Sequence, residues 1–190
     1  MQLGGFVIRV IGWLPVAFVV WYFAAPALLW PAVLAVKLIA QIGLGDLVRG
    51  IEQSGRTLVF ATSLRPGVVG AQSARITVDV NMLLYAFGLP LYAALVLAAR
   101  DPRWPRLLAV GYVVLTPFVA WGVLADFLKN VAITAGPLIA SQTGFVSWQR
   151  EAIVFAYQLG ALILPTVAPA VLWVLTHDAF LERMKRARVR

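Results

Sequence analysis

Four long apolar runs dominate this chain, at roughly Val10–Ile42, Met82–Ala99, Leu107–Leu128 and Ala152–Leu175. Each is long enough, as a helix, to cross a bilayer whose apolar core is about 30 Å thick and takes about 20 residues. Composition agrees: 62% of the 190 residues are hydrophobic and 13% are charged, whereas a soluble domain is about a quarter charged. The sequence therefore predicts a mainly α, polytopic membrane protein with four transmembrane helices. The first run continues unbroken past the cleavage-like Ala25-Pro26-Ala27, which fits an anchor better than a removed signal peptide.

Charge sets the expected orientation. Arg9, the Arg100–Arg106 turn and the C-terminal tail hold nine basic and three acidic residues, a net of +6. The opposite ends of the runs hold seven basic and five acidic residues, a net of +2. By the positive-inside rule both termini are expected in the cytoplasm of a bacterial inner membrane, with residues 46–80 and 129–150 in the periplasm. The same rule accounts for the overall charge of +8 without invoking nucleic acid.

The first run is too long for one span. It contains Pro15, Pro26 and Pro31, and proline removes a backbone donor and kinks or ends a helix. We expect a span at about 8–29 and a second helical piece at 31–42, followed by spans at 82–99, 107–128 and 152–175. Between the first two spans the pattern changes from continuous apolarity to alternation. Arg49–Gln53, Arg56–Thr62 and Ala74–Val80 read as strands, with Ile76, Val78 and Val80 on one face and turns at Ser54-Gly55 and Arg65-Pro66-Gly67. A small extracytoplasmic β-hairpin or three-stranded β element is expected. Such an element is marginal alone and needs something to lean on. Residues 129–150, with Gly136-Pro137 and Gly144, read as a broken interfacial helix plus loop, and 176–190 as a basic cytoplasmic tail.

Cysteine is absent and His177 is the single histidine. That excludes disulfides, thiolate nucleophiles and multi-histidine metal sites. No catalytic residue, metal site or cofactor is assigned, and enzymatic activity is not expected. His177-Asp178 reads as a helix end rather than a catalytic pair. The polar residues that stand out share the outer side. Asp126 and Lys129 lie three apart and can pair across one helical turn; with Trp121 they read as an interfacial ion pair or as a docking site. Trp148, Arg150 and Glu151 open the fourth span, with Ser147 as its cap, and read as a helix start with an aromatic anchor or as an anion site. Asn81, a candidate cap, Tyr157 and Gln158 are expected as interhelical polar groups, since an amide in lipid seeks a hydrogen bond.

Several stretches together carry a family resemblance. They are Trp21-Tyr22-Phe23-Ala24-Ala25-Pro26, Asn81…Tyr85…Gly88-Leu89-Pro90, Ala120-Trp121-Gly122 with Asp126…Lys129, Trp148-Gln149-Arg150-Glu151-Ala152, Tyr157-Gln158-Leu159-Gly160 and Leu164-Pro165-Thr166. Over most of its length the chain resembles the exosortase H-associated membrane protein family. The resemblance implies a companion of an exosortase, a transpeptidase-like enzyme of Gram-negative inner membranes. Its substrates carry a short C-terminal signal, a transmembrane helix and a basic tail. Exosortases rely on a cysteine, an arginine and a histidine, so a chain without cysteine is not the transpeptidase, and no catalytic residues carry over. The implied role is a non-enzymatic accessory subunit that contacts the sorting enzyme or its substrate on the periplasmic side. The implied partners are the lipid bilayer, an exosortase and its sorted substrates. The competing reading is a small transporter or lipid-linked-substrate enzyme built on Asp126, Lys129, Arg150 and Glu151.

Overall fold

A computed structural model describes residues 3–66 and 75–177. The tail residues 178–190, Gly67 of the second turn and Ala74 of the third strand lie outside the described residues. The chain is mainly helical, with a small antiparallel sheet inserted near its start. Among the described residues three helical stretches are long and apolar enough to cross a membrane: Gly4–Leu28, Trp104–Thr134 and Ser147–Thr176.

The first stretch is α1 (Leu3–Leu28), and after the single residue Leu29 it gives way to α2 (Trp30–Gly43). The cause is local. Pro26 cannot donate an amide to the Tyr22 carbonyl, nor Pro31 to that of Ala27, so the i→i−4 ladder lapses on both sides of Leu29. The first apolar run is thus two helices that meet at Leu29.

The stretch expected as the span at 82–99 is bent near its start. It is two helices, α3 (Leu83–Ala86) and α4 (Gly88–Ala99), meeting at Phe87. Pro90 cannot donate to the carbonyl of Ala86. Leu83–Ala99 is an apolar helical stretch shorter than the other three, and at 1.5 Å per residue it is about 26 Å long. Arg100 ends α4 in the left-handed region at φ 54°.

The third run is α5 (Trp104–Lys129), continued by a π-helical turn over Asn130–Thr134. Residues 129–150 are broken as expected, into that turn, α6 (Pro137–Ala140) and a 3₁₀ turn at Ser141–Thr143. The fourth run is α7 (Ser147–Gln158), a second π-helical turn (Leu159–Ile163) and α8 (Leu164–Thr176). This second turn precedes Pro165, which has no amide to continue an α-helical ladder.

The sheet is a three-stranded meander in the order β1 (Val48–Ser54), β2 (Thr57–Thr62), β3 (Thr77–Asn81). Ser54 pairs with Thr57 across a two-residue turn whose Gly55 sits at φ +61°, a conformation that favours glycine. Leu58, Phe60 and Thr62 of β2 and Val78 and Val80 of β3 are buried on one face, which is the alternation the sequence shows. What they bury against explains why so small a sheet holds. The Phe60 ring stacks on Phe127 of α5, with centroids 4.2 Å apart. One core joins Ala25, Leu29 and Val36 from α1–α2, Leu58, Phe60 and Val80 from the sheet, and Val123, Phe127 and Val131 around α5. A second core at the Arg9 end of the bundle holds Phe6, Tyr92, Val96, Leu107, Leu115 and Trp173.

Candidate functional site

The polar residues singled out in the sequence fall mostly near the end of α5 and the start of α7. What lets these helices meet is the absence of side chains at two positions. A Cβ on Gly160 would lie 2.9 Å from the Gly122 Cα, and one on Gly122 would lie 2.4 Å from Cδ1 of Tyr85. Helices with small residues at the contact approach this closely. Trp121 then reaches across and donates its Nε1–H to the Ala156 carbonyl at 3.1 Å.

Asp126 is 8% exposed. Its Oδ1 pairs with Lys129 Nζ at 3.0 Å, the one-turn pair that the sequence suggests. Asn130 Nδ2 donates to the same Oδ1 at 3.1 Å and to the Asp126 carbonyl at 2.9 Å. Lys129 Nζ also lies 4.0 Å from the centroid of the Tyr157 ring on α7. The Tyr85 hydroxyl lies beside the Asp126 carboxylate, with Tyr157 also acting on it. Asp126, Lys129, Asn130, Tyr85 and Tyr157 thus form one cluster that joins α3, α5 and α7, with Tyr157 taking part through its ring face against Lys129.

Other expectations need correcting. Arg150 and Glu151 do not join this cluster. Arg150 donates from Nε to the Phe145 carbonyl at 3.1 Å and from Nη2 to the Ala140 carbonyl at 3.4 Å, stapling the preceding loop to α7. The guanidinium is occupied by carbonyls rather than poised for an anion. Glu151 is exposed and makes no ion pair or hydrogen bond among the described residues. Trp148 is 67% exposed. Ser147 is the first residue of α7 rather than its cap; Gln149 Oε1 instead accepts from the Val146 amide at 3.0 Å. Asn81 is a local cap, its Oδ1 accepting from the Leu83 amide at 3.1 Å, and does not bridge helices. Gln158 is not an interhelical link within the chain. It faces outward, exposed, with no hydrogen bond among the described residues. It lies one residue, about 100° of helix, past the inward-facing Tyr157.

The His177 ring is 1% exposed, so it is packed inside and not an exposed helix end. It stacks on Trp173, which stacks on Phe6. Its Nδ1 lies 3.0 Å from both the Trp173 carbonyl and the Thr176 hydroxyl. Burial pushes its pKa down, and Arg103 pushes the same way, against the opposing pull of its Trp173 hydrogen bond and of Asp101. Asp178 lies outside the described residues. Nearby, Arg103 grips Asp101 with both Nε and Nη2, at 3.1 and 2.9 Å, and holds that carboxyl down to about 2. Among the described residues no three His, Asp or Glu side chains are grouped to hold a metal ion.

Sequence reasoning missed the groups that dock the sheet. Arg56, at the hairpin tip, donates from Nε to the Tyr22 carbonyl at 3.1 Å and lies 3.7 Å from the Tyr22 ring centroid. That carbonyl is the one Pro26 leaves without an amide. Gln53 donates to the Pro26 carbonyl at 2.9 Å and Tyr112 to that of Leu28 at 2.6 Å. Gln142 exchanges two 3.0 Å hydrogen bonds with the Arg65 backbone, tying the sheet to the 3₁₀ turn. The signal in the sequence was Pro26 itself, since a proline inside a helix announces an unpaired carbonyl four residues earlier.

No curated protein and no solved structure matches the chain significantly. A family model, exosortase H-associated membrane protein, matches residues 1–180. That match spans both helical halves, the sheet and the polar cluster, and the chain belongs to the exosortase H-associated membrane protein family.

Proposed function

We propose that this protein is a non-enzymatic accessory subunit of an exosortase-type protein-sorting system in a Gram-negative inner membrane. Both termini face the cytoplasm, and the sheet and the Asp126 cluster face the periplasm, where they contact the sorting enzyme or its substrate. Family membership supports the association with exosortase H, and the arginine bias supports the orientation. The observation that carries the reading is the braced end of the bundle, where a sheet held on α2 and α5 and a polar cluster joining three helices give a shaped, partly polar surface. Trp121, Asp126, Lys129, Trp148, Arg150 and Glu151 are its candidate contact residues, the first three fixed within the bundle and Trp148 and Glu151 projecting from it.

The test is deletion of the gene, with tracking of proteins that carry the C-terminal sorting signal. We expect their processing or surface delivery to fail, with rescue by the intact gene; unchanged processing refutes the role. A transporter or lipid-linked-substrate enzyme would need Asp126, Lys129, Arg150 and Glu151 to act together. Asp126 and Lys129 neutralise each other, Arg150 is occupied by carbonyls and Glu151 points away, so no observation favours that reading.

A further inference from the structure

One face of α7 has no partner among the described residues. Trp148, Glu151, Phe155 and Gln158 succeed one another at helical spacing, and all four are exposed. Trp148 and Phe155 are each 67% exposed. The face lies within a continuous helical stretch, Ser147–Thr176, long and apolar enough to cross a membrane. With the exposed Trp148 at the interface, where such rings concentrate, Gln158 sits ten residues deeper, about 15 Å. That is well inside an apolar core about 30 Å thick. An outward-facing carboxamide at that depth meets only hydrocarbon, and a polar group in lipid without a hydrogen bond is unfavourable. Thr166, further along and also exposed, differs because its hydroxyl donates to the Leu162 carbonyl at 3.0 Å.

We propose that this α7 face docks a transmembrane helix of another membrane protein, which presents a hydrogen-bonding side chain to Gln158 and a cation to Glu151. The proposal deepens the accessory reading and rests on it for the orientation of the span. Glu151 lies two turns, about 10 Å, outward of Gln158, so the partner helix carries its cation about that far outward of its polar residue. Charge argues against a second copy of this chain. Two copies in one membrane share an orientation, and a twofold contact that pairs Gln158 with Gln158 also sets Glu151 beside Glu151. A partner with a basic residue at that level turns repulsion into attraction.

The experiment places a photo-crosslinking aromatic amino acid at Phe155 of the full chain in native membranes, with Val113, 69% exposed on α5, as the control position. We expect an adduct from position 155, and not from 113, with a different membrane protein. Sequencing should locate it in a transmembrane helix with a polar side chain and, about two turns outward, a lysine or arginine. Gln158→Leu should lower the yield about fivefold, the equivalent of roughly 1 kcal/mol. Glu151→Lys should also lower it, and an acid in place of the partner's cation should restore it. Adducts with a second copy, adducts with lipid alone, or a yield indifferent to Gln158→Leu would overturn the proposal. If deletion blocks sorting while position 155 gives no such adduct, the docking face is wrong and the accessory role stands. If the adduct forms while sorting is untouched by deletion, the role is wrong and the docking stands.

Discussion

Replacing Arg56 by methionine tests whether the hairpin tip is held by the carbonyl that Pro26 exposes. Arg56 makes two contacts with α1, a 3.1 Å hydrogen bond to the Tyr22 carbonyl and a cation–π contact 3.7 Å from the Tyr22 ring centroid. A hydrogen bond from a charged donor contributes about 1.5–3 kcal/mol net, and the exposed position argues for the low end. A cation–π contact at an exposed site adds about 0.5–1 kcal/mol. Arg56→Met should therefore lower stability by about 2 kcal/mol. In a Pro26→Ala background residue 26 regains an amide that can bond to the Tyr22 carbonyl, and only the ring contact remains to be lost. There Arg56→Met should cost about 0.5–1 kcal/mol, leaving a coupling of about 1 kcal/mol between residues that do not touch directly. The assay is reversible unfolding of the purified protein in mixed detergent, read by circular dichroism for the four members of the cycle. An equal cost of Arg56→Met in both backgrounds would refute the idea that proline creates the acceptor.

Three further outcomes are expected from the packing and the charges. Gly122→Ala should destabilise by about 2–3 kcal/mol, because the new methyl would sit 2.4 Å from the Tyr85 ring. Gly12→Ala, with open space around it, should be neutral or slightly stabilising in the same unfolding assay. Asp126→Leu should cost more than the double change Asp126→Leu with Lys129→Met. The single change strands a partly buried ammonium, whereas the double change removes both charges; a double change whose loss equals the sum of the two single losses would show that the pair is not coupled. Stability should fall as pH drops below about 6.5, the ordinary histidine value. The buried His177 resists a proton that the unfolded chain accepts, so its contribution is present above that value and lost through the lowered folded pKa. His177→Phe should abolish this slope while leaving intact the separate loss below 3.8 that Asp101 produces as its carboxyl titrates towards about 2.

Much of the fold is legible in the residues because its signals are local. Apolar runs mark the long helices, alternation of Leu58, Phe60, Val78 and Val80 marks the buried sheet face, and Pro26 and Pro31 mark the break at Leu29. The candidate site is less legible because it depends on which way side chains turn around a helix axis. A wheel with 3.6 residues per turn cannot anticipate the π-helical turns at Asn130–Thr134 and Leu159–Ile163, each of which rotates the residues beyond it. The pairing of Asp126 with Lys129 survives because it is confined to one turn. Whether Asp126, Lys129, Arg150 and Glu151 meet depends on two elements and a loop and is not legible in the sequence; Arg150 finds its acceptors at Ala140 and Phe145 instead.

The prolines tie these observations together. In an apolar environment an unpaired carbonyl has to be answered by the protein itself, and at Tyr22 the answer comes from a distant element. The Tyr22 carbonyl freed by Pro26 receives Arg56 of the hairpin. The Pro165 carbonyl, which residue 169 cannot serve because it too is proline, lies against Gly88 at the head of α4, so close that a Cβ there would be 2.7 Å from it. A helix with an uninterrupted ladder would leave no free carbonyl at Tyr22 for Arg56. Pro26 therefore marks an attachment point for the sheet, while at Pro165 the absence of a side chain on Gly88 lets α4 pack close. Gln158 stands in contrast. The chain answers the polar group of Tyr22 from the hairpin, but leaves the Gln158 amide, on the outward face of α7, without a partner of its own among the described residues. A molecule that answers the Tyr22 carbonyl from within and leaves this amide open has an unfilled position on that face, where a second membrane protein would supply the missing hydrogen bond.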